Sequence, residues 1–314
     1  MQILNDFVGA ELHRGLVVTI GAYDGLHLGH QRLVRALIAH ARQIGALSGL
    51  ITFDPHPRSV LSSGEQTFCL MTVDDKAELL EEMGLDVLVK LPFTAELSRT
   101  PAREFVLQAV QHLGMRELWV GAGFALGRDR EGDVPSLQRL SLELGFELRV
   151  IDTLEDGGES ISSSRIRSLI QEGRVGRAGD LLGRPFRFGG RAIADGRRTR
   201  LAGLPCFRLV PRPRCLPPAE GVYAANVLIE GQRCAALLTV FASSTDNRGE
   251  RTVLGYLLES DRDLGGLDGD LILELVRRLD GDTSFGDGER PAVQIMDYAR
   301  QTQRILRAGA DGPG

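Results

Sequence analysis

Two histidines three residues apart, His27 and His30, flank Gly29 where the run Leu16-Val17-Val18-Thr19-Ile20 stops at Gly21 and a helical pattern of Leu33, Leu37, Ala41 and Ile44 begins. Imidazoles at that spacing on a helix start, beside its free N–H groups, can both face one phosphate chain, and Gly29 leaves room for close backbone approach. Nucleotidyl transfer asks little covalent chemistry of a protein. The charge of a triphosphate has to be neutralised and the attacking oxygen aligned with the leaving pyrophosphate, and histidine N–H groups can serve the first need. An isolated His-x-Gly-His string fits two histidines in a helix cap about equally well; the strand before it and the helix after it favour the phosphate reading.

Two further strings carry polar chemistry. Ser162-Ser163-Ser164-Arg165-Ile166-Arg167 offers hydroxyls, helix N–H groups and two guanidinium groups, a set suited to the β- and γ-phosphates. Alone it is a weak signal that reads more readily as a serine-rich helix cap followed by surface arginines; its place after the last strand of the same sheet gives it value. Asp54-Pro55-His56-Pro57-Arg58 follows a strand ending at Phe53. The carboxyl ends of parallel strands form the ligand crevice in such sheets, and the alternative is a proline-stiffened loop.

These residues need a scaffold, and the hydrophobic pattern supplies one. Leu50 to Phe53, Val87 to Val89 and Glu117 to Gly121 read as strands, separated by helical stretches from Asp75 to Met83 and from Pro101 to Leu113. A helix from Ser136 to Leu144, a strand from Glu147 to Ile151 and a helix opened by Ser162 to Ser164 follow. Alternation of this kind predicts a Rossmann-like α/β domain with a parallel sheet over residues 1–185. Beyond Pro185 the texture changes to short β-type pieces broken by Gly and Pro, such as Val222 to Val227 and Cys234 to Val240. Residues 186–314 are therefore expected to form a small antiparallel β-barrel, closed by a helix starting at Pro291 with Ile295, Tyr298 and Ile305 on its apolar face.

Composition narrows the classes. A chain of 314 residues with 43% hydrophobic and 25% charged content is ordinary for a globular two-domain protein. No apolar run approaches the roughly 18 residues of a membrane span and no signal segment opens the chain, so a cytoplasmic location and no membrane partner are expected. A net charge of −5 gives no footprint for nucleic acid, although Arg197, Arg198 and Arg200 could bind a phosphate. Cys69, Cys206, Cys215 and Cys234 lack metal-ligand spacing, and no metal ligand is assigned to the protein. Lysine occurs only as Lys76 and Lys90, which reads as a preference for arginine codons.

Five strings taken together carry a family resemblance. Thr19 to His30, Thr52 to Arg58, Leu91-Pro92-Phe93, Gly127 to Asp133 and Ser162 to Arg167 are similar, in order, to the motifs of the bacterial bifunctional riboflavin kinase/FAD synthetase family. The resemblance implies transfer of AMP from ATP to FMN with Mg²⁺, giving FAD and pyrophosphate. It implies that His27, His30 and Arg165 act on the reacting phosphates, and that Gly21, Tyr23, Asp24, Gly29, Ser163, Ser164 and Arg167 hold the nucleotide. Phe53, Pro55, His56, Pro57, Arg58 and Asp133 would seat the flavin acceptor.

The chain departs from the family pattern at points that bear on the acceptor. Ala22 and Tyr23 stand where the family usually has Asn and Phe, and Gly123 and Ala125 stand where it has a polar residue and an Arg. The second half resembles the kinase domain in layout, with Gly221 to Ala224 and Gly249 to Val253 in place. Its chemistry is missing: Cys206, Arg208 and Leu254 occupy the positions of the family's Thr, Asn and catalytic Glu, and Glu259 lies five residues beyond. Loss of riboflavin phosphorylation is the resulting expectation. Two other readings keep their place, a nucleotidyltransferase with a different phosphorylated acceptor and a non-catalytic flavin or nucleotide sensor.

Overall fold

The computed structural model describes residues 1–8, 12, 14–61, 68–193, 200–201, 203–242, 251–258, 269–281 and 292–310. The chain forms two compact units, Met1–Ser162 and Ser163–Gly314. Arg197, Arg198, Gly249, Glu250, Glu259 and the expected helix start at Pro291 lie outside the described residues.

The first unit runs β1 (Gln2–Leu4), β2 (Leu16–Ile20), α1 (Leu28–Gln43), β3 (Leu47–Asp54), α2 (Pro57–Leu61), α3 (Val73–Glu82), β4 (Val87–Pro92), α4 (Ala102–Leu113) and β5 (Met115–Gly121). It continues through β6 (Ala125–Leu126), β7 (Gly132–Asp133), α5 (Val134–Leu144), β8 (Glu147–Ile151), β9 (Glu155–Asp156) and β10 (Glu159–Ser160). Six strands make one parallel sheet in the order β1-β4-β3-β2-β5-β8. Every residue of β2 is buried, because helices cover both faces, which is why it reads as an unbroken apolar run. Leu16, Val18 and Ile20 pack with Phe105 and Val106 of α4 and Leu137 of α5, while Val17 packs with Leu33 and Leu37 of α1.

Helix ends follow their capping chemistry. Thr72 and Asp75 form a reciprocal capping box at α3, and Asp133 caps α5, whose second residue is Pro135. Gly114 and Gly145 end α4 and α5 in the left-handed conformation that a side chain disfavours. From β2 the chain passes to β3 on one side, and from β4 it crosses to β5 on the other. The carboxyl end of β2 is thus the switch point of the sheet, where open α/β sheets bind ligands.

The second unit holds α6 (Ser163–Gln171), α7 (Val175–Leu182), β11 (Phe186–Ile193), β12 (Arg200–Leu201), β13 (Leu204–Pro211), β14 (Gly221–Ile229), β15 (Gln232–Ala242), β16 (Arg251–Leu257), β17 (Gly269–Asp280) and α8 (Ala292–Ala310). Its strands pair antiparallel in the order β11-β17-β14-β15-β16-β13, and β11 also pairs with β13, which closes a six-stranded barrel. Ile295 of α8 is buried against Val222, Leu237 and Tyr256 of the barrel, as the sequence pattern predicts for the last helix. The expected boundary at Pro185 differs from the division by compactness, which falls at Ser162. The buried faces of α6 and α7 account for the difference: α7 packs on β11 and β17, and the Ile170 carbonyl of α6 accepts the Ala219 N–H ahead of β14.

Candidate active site

The turn from Gly21 to His27 is the densest piece of local chemistry in the first unit. The Gly21 N–H donates to the Ile51 carbonyl, and a Cβ at Gly21 would stand 3.0 Å from the Tyr23 ring. Tyr23 and Leu26 adopt positive φ of 47° and 40°, a conformation that non-glycine residues rarely hold unless their surroundings enforce it. Burial of both side chains supplies that enforcement. The Tyr23 hydroxyl is hydrogen-bonded to that of Thr19, and burial pushes the phenol far above its usual pKa. Asp24, also buried, accepts the Leu70 N–H at 2.9 Å, so this residue expected at the nucleotide ties the turn to the segment before α3.

His27 is the N-cap of α1, and its Nδ1 accepts the His30 backbone N–H at 3.3 Å. The ring proton of neutral His27 is thereby placed on Nε2, leaving that atom as a donor. The two imidazoles stack with centroids 3.6 Å apart and planes 17° apart, and His30 also meets the Tyr23 ring, tilted by 48°, at 4.6 Å. Gly29 keeps its place because a Cβ there would crowd the His27 ring at 3.3 Å. Burial above all, then the neighbouring His27 and the Lys76 charge, holds the His30 pKa well below its usual value. His30 is thus neutral at physiological pH, and its buried Nδ1 has no hydrogen-bond partner among the described residues.

Phe53, at the carboxyl end of β3, lines a cavity of 520 Å³ with Phe93, Phe105, Arg99, Arg128 and Arg130. Three phenyl rings and three guanidinium groups suit a planar aromatic ligand that carries an anionic group. The turn that brings Arg128 and Arg130 there depends on Gly127, with φ of 78° and a Cβ position only 2.6 Å from the Ala102 nitrogen. Glu131 fastens the same turn by accepting the Ala102 N–H at 2.9 Å.

The other expected residues are placed differently. Pro55 to Arg58 lead into α2, where His56 Nδ1 accepts the Arg58 N–H at 3.1 Å, and they are not among the residues lining the cavity. Asp133 caps α5 by accepting the Ser136 N–H, and the Ser136 hydroxyl, followed by that N–H, keeps its carboxyl below the usual pKa. Ser163, Ser164, Arg165 and Arg167 form the first turns of α6 in the second unit, with both arginines half-buried. Gly123 has open space where a side chain would stand, and Ala125 lies in β6.

Two features escaped the sequence reading. Lys76 of α3 is buried, and its ammonium donates to the Ala22 carbonyl at 2.5 Å and the Thr52 hydroxyl at 2.9 Å. Its position on the apolar stripe Val73-Lys76-Ala77-Leu80 was the available signal. Glu117 of β5 accepts from His40 at 2.9 Å and the Trp119 indole at 3.0 Å, and lies 3.2 Å from Arg149. Strand alternation alone does not reveal such a buried carboxylate.

In the barrel, Arg208 pairs across the sheet with Leu254, Phe207 with Gly255 and Cys206 with Tyr256. Cys206 and Leu254 pack against the cluster of Val222, Leu237, Tyr256 and Ile295, while Arg208 is exposed.

Comparison with known proteins bears on both units. The family model for FAD synthetase matches residues 9–165, and that for riboflavin kinase matches residues 182–306. A bifunctional riboflavin kinase/FMN adenylyltransferase of Pseudomonas fluorescens is 34% identical over 221 residues, 70% of each chain. Its counterpart in Escherichia coli K12 is 32% identical over 220 residues, again 70% of each, and that of Haemophilus influenzae is 31% identical over 261 residues, 82% of each. The crystal structure of a macrolide-efflux protein from Streptococcus pneumoniae shares the fold, with a TM-score of 0.84 over 98% of this chain and 99% of the other at 24% identity. Among the described residues no helix is long and apolar enough to cross a membrane.

Proposed function

Because the chain belongs to the bifunctional riboflavin kinase/FMN adenylyltransferase family, we propose that its first unit transfers AMP from ATP to FMN and that its barrel no longer phosphorylates riboflavin. The observation that carries the first part is the paired imidazole turn at the switch point of a sheet whose carboxyl edge also bears an aromatic, arginine-rimmed cavity. In the reaction a phosphate oxygen of FMN attacks the α-phosphorus of ATP, the bond from that phosphorus to the bridging oxygen breaks, and pyrophosphate leaves. His27 Nε2 is a preorganised donor for charge on the phosphates, worth most in a site closed to water. The isoalloxazine ring occupies the cavity of Phe53, Phe93 and Phe105, and its phosphate meets Arg99, Arg128 and Arg130, where Arg128 lies 3.8 Å from Glu131 and Arg130 donates to the Gly123 carbonyl.

Ser163, Ser164, Arg165 and Arg167 remain in the proposal as triphosphate ligands, on the chemistry of hydroxyls and guanidinium groups at a helix start. Mg²⁺ belongs to the same reading and fits as an ion carried by the phosphates, whose hard oxygens suit it. Among the described residues no three His, Cys, Asp or Glu side chains gather to hold a metal. When bound, the ion neutralises phosphate charge.

The loss of kinase chemistry rests on side-chain type. A thiol at 206 is a poor ligand for a hard cation, a guanidinium at 208 repels one, and Leu254 has no atom that accepts a proton. The packing of Cys206 and Leu254 in an apolar cluster supports the same reading. A different phosphorylated acceptor is the second reading, favoured by the missing side chain at Gly123 and the small one at Ala125. Purified protein supplied with ATP, Mg²⁺ and either FMN or riboflavin separates these readings by the flavin products formed.

A further inference from the structure

Lys76 is a buried cation that the chemistry above does not use. It sits on α3, yet both of its hydrogen bonds leave that helix: one to the Ala22 carbonyl in the turn that leads to His27, the other to Thr52 at the end of β3. The Thr52 hydroxyl donates to the same Ala22 carbonyl at 3.3 Å, so helix, strand and turn meet at one oxygen. A strained turn with two non-glycine residues at positive φ needs such external definition. Asp24 of the turn, Asp54 at the end of β3 and Cys69 before α3 act on the ammonium, and His30 of α1 in turn feels its charge.

We propose that Lys76 is a positioning residue for adenylyl transfer, fixing the turn that leads to His27 and His30 through the Ala22 carbonyl. The inference rests on the function proposed above and adds a residue to it. Lys76 acts through the turn, setting the geometry of the two histidines, and its charge adds to the burial that lowers the His30 pKa. Burial lowers its pKa from the ordinary 10.5 to about 8, against the opposing pull of Asp24, Cys69 and Asp54. The folded protein therefore disfavours the charged form, and burying the cation opposes folding at neutral pH. That opposition is relieved as pH rises from about 8 towards 10.5. A group kept charged at a cost to stability fits a functional role better than a role in holding the fold.

The test uses full-length protein with Lys76→Met, Lys76→Arg and Thr52→Val, with three readouts: kcat and KM for ATP across pH, thermal midpoint, and the His30 titration by NMR. Lys76→Met is expected to lose about tenfold or more in kcat/KM for ATP at neutral pH, as expected when charge-assisted hydrogen bonds are removed. It should melt no lower than wild type, lose the alkaline limb expected of wild type near pH 8, and titrate His30 closer to its ordinary value. Lys76→Arg should recover part of the rate and move the limb upward, and Thr52→Val should lower the rate with His30 still neutral. Wild-type kcat/KM and a wild-type alkaline limb in Lys76→Met would overturn the proposal, as would a loss of rate matched by a fall in melting temperature with the His30 titration unmoved. Should wild type itself transfer no AMP, the proposed function fails, and an unchanged His30 titration in Lys76→Met still overturns the role of Lys76.

Discussion

The Nδ1 atom of His27 accepts the backbone N–H of His30 while the two rings stack 3.6 Å apart, so one histidine caps the helix and orients the other. The pair is a unit, and its removal should abolish chemistry before it harms the fold. His27→Ala with His30→Ala is expected to lower pyrophosphate release at least several hundredfold, since one preorganised donor of this kind is worth about 3–4 kcal/mol. Circular dichroism should stay that of wild type. Turnover near wild type in the double variant would remove these residues from the reaction.

The cavity predicts a different phenotype. Phe93 is half-buried, so Phe93→Ala should fold and weaken FMN binding by about 0.5–1.5 kcal/mol, roughly two- to tenfold, with the ATP constant unchanged. Titration by flavin fluorescence measures the first and calorimetry the second. A shift in the ATP constant alone would give the cavity to the nucleotide.

Charge reversal at Arg165 or Arg167 should have the opposite selectivity, because guanidinium groups match phosphate geometry. ATP affinity should fall well below that of wild type and FMN affinity should hold. The same two titrations decide the matter, and movement of the FMN constant alone would assign α6 to the acceptor.

Glu117 gives a prediction about pH and stability. Burial raises its pKa, but bonds from Trp119 and His40 together with the Arg149 charge outweigh that and hold it below the ordinary 4.5. A lowered carboxyl pKa stabilises the fold above the unfolded value, and that contribution disappears as pH falls through the folded value. Glu117→Gln should cost about 1–3 kcal/mol at neutral pH, as a buried charge-assisted network loses its negative charge and one of its two acceptor oxygens. Its deficit relative to wild type should shrink on the acid side of pH 4.5. Denaturant melts at neutral and acid pH test this, and a deficit independent of pH would contradict it.

The legible parts of the molecule were those where one physical rule dominated. β2 was plain because five buried residues end at a glycine, and α4 because its apolar period runs from Pro101 to a left-handed Gly114. The His27 to His30 turn was legible for the same reason, a strand handing over to a helix. Lys76 was hidden because hydrophobic patterning counts a lysine as solvated, whereas here acceptors on two other elements receive it. Phe105 reads as core from its helical spacing and does pack there, yet it also faces the cavity, a dual use that periodicity cannot express. The polar ends of the Gly127 to Asp133 string turned inward to different tasks, Glu131 to α4 and Asp133 to α5, because free helix N–H groups compete for carboxylates with any ligand.

The central claim is tested most directly by incubating the full chain with ATP, Mg²⁺ and either FMN or riboflavin, and resolving flavins by chromatography while following pyrophosphate. The account predicts FAD and equimolar pyrophosphate from FMN, and from riboflavin neither FMN nor FAD beyond that of a Glu259→Gln control. No FAD from FMN would contradict the adenylyl-transfer reading, and sustained FMN or FAD from riboflavin would contradict the loss of kinase chemistry at Cys206, Arg208 and Leu254.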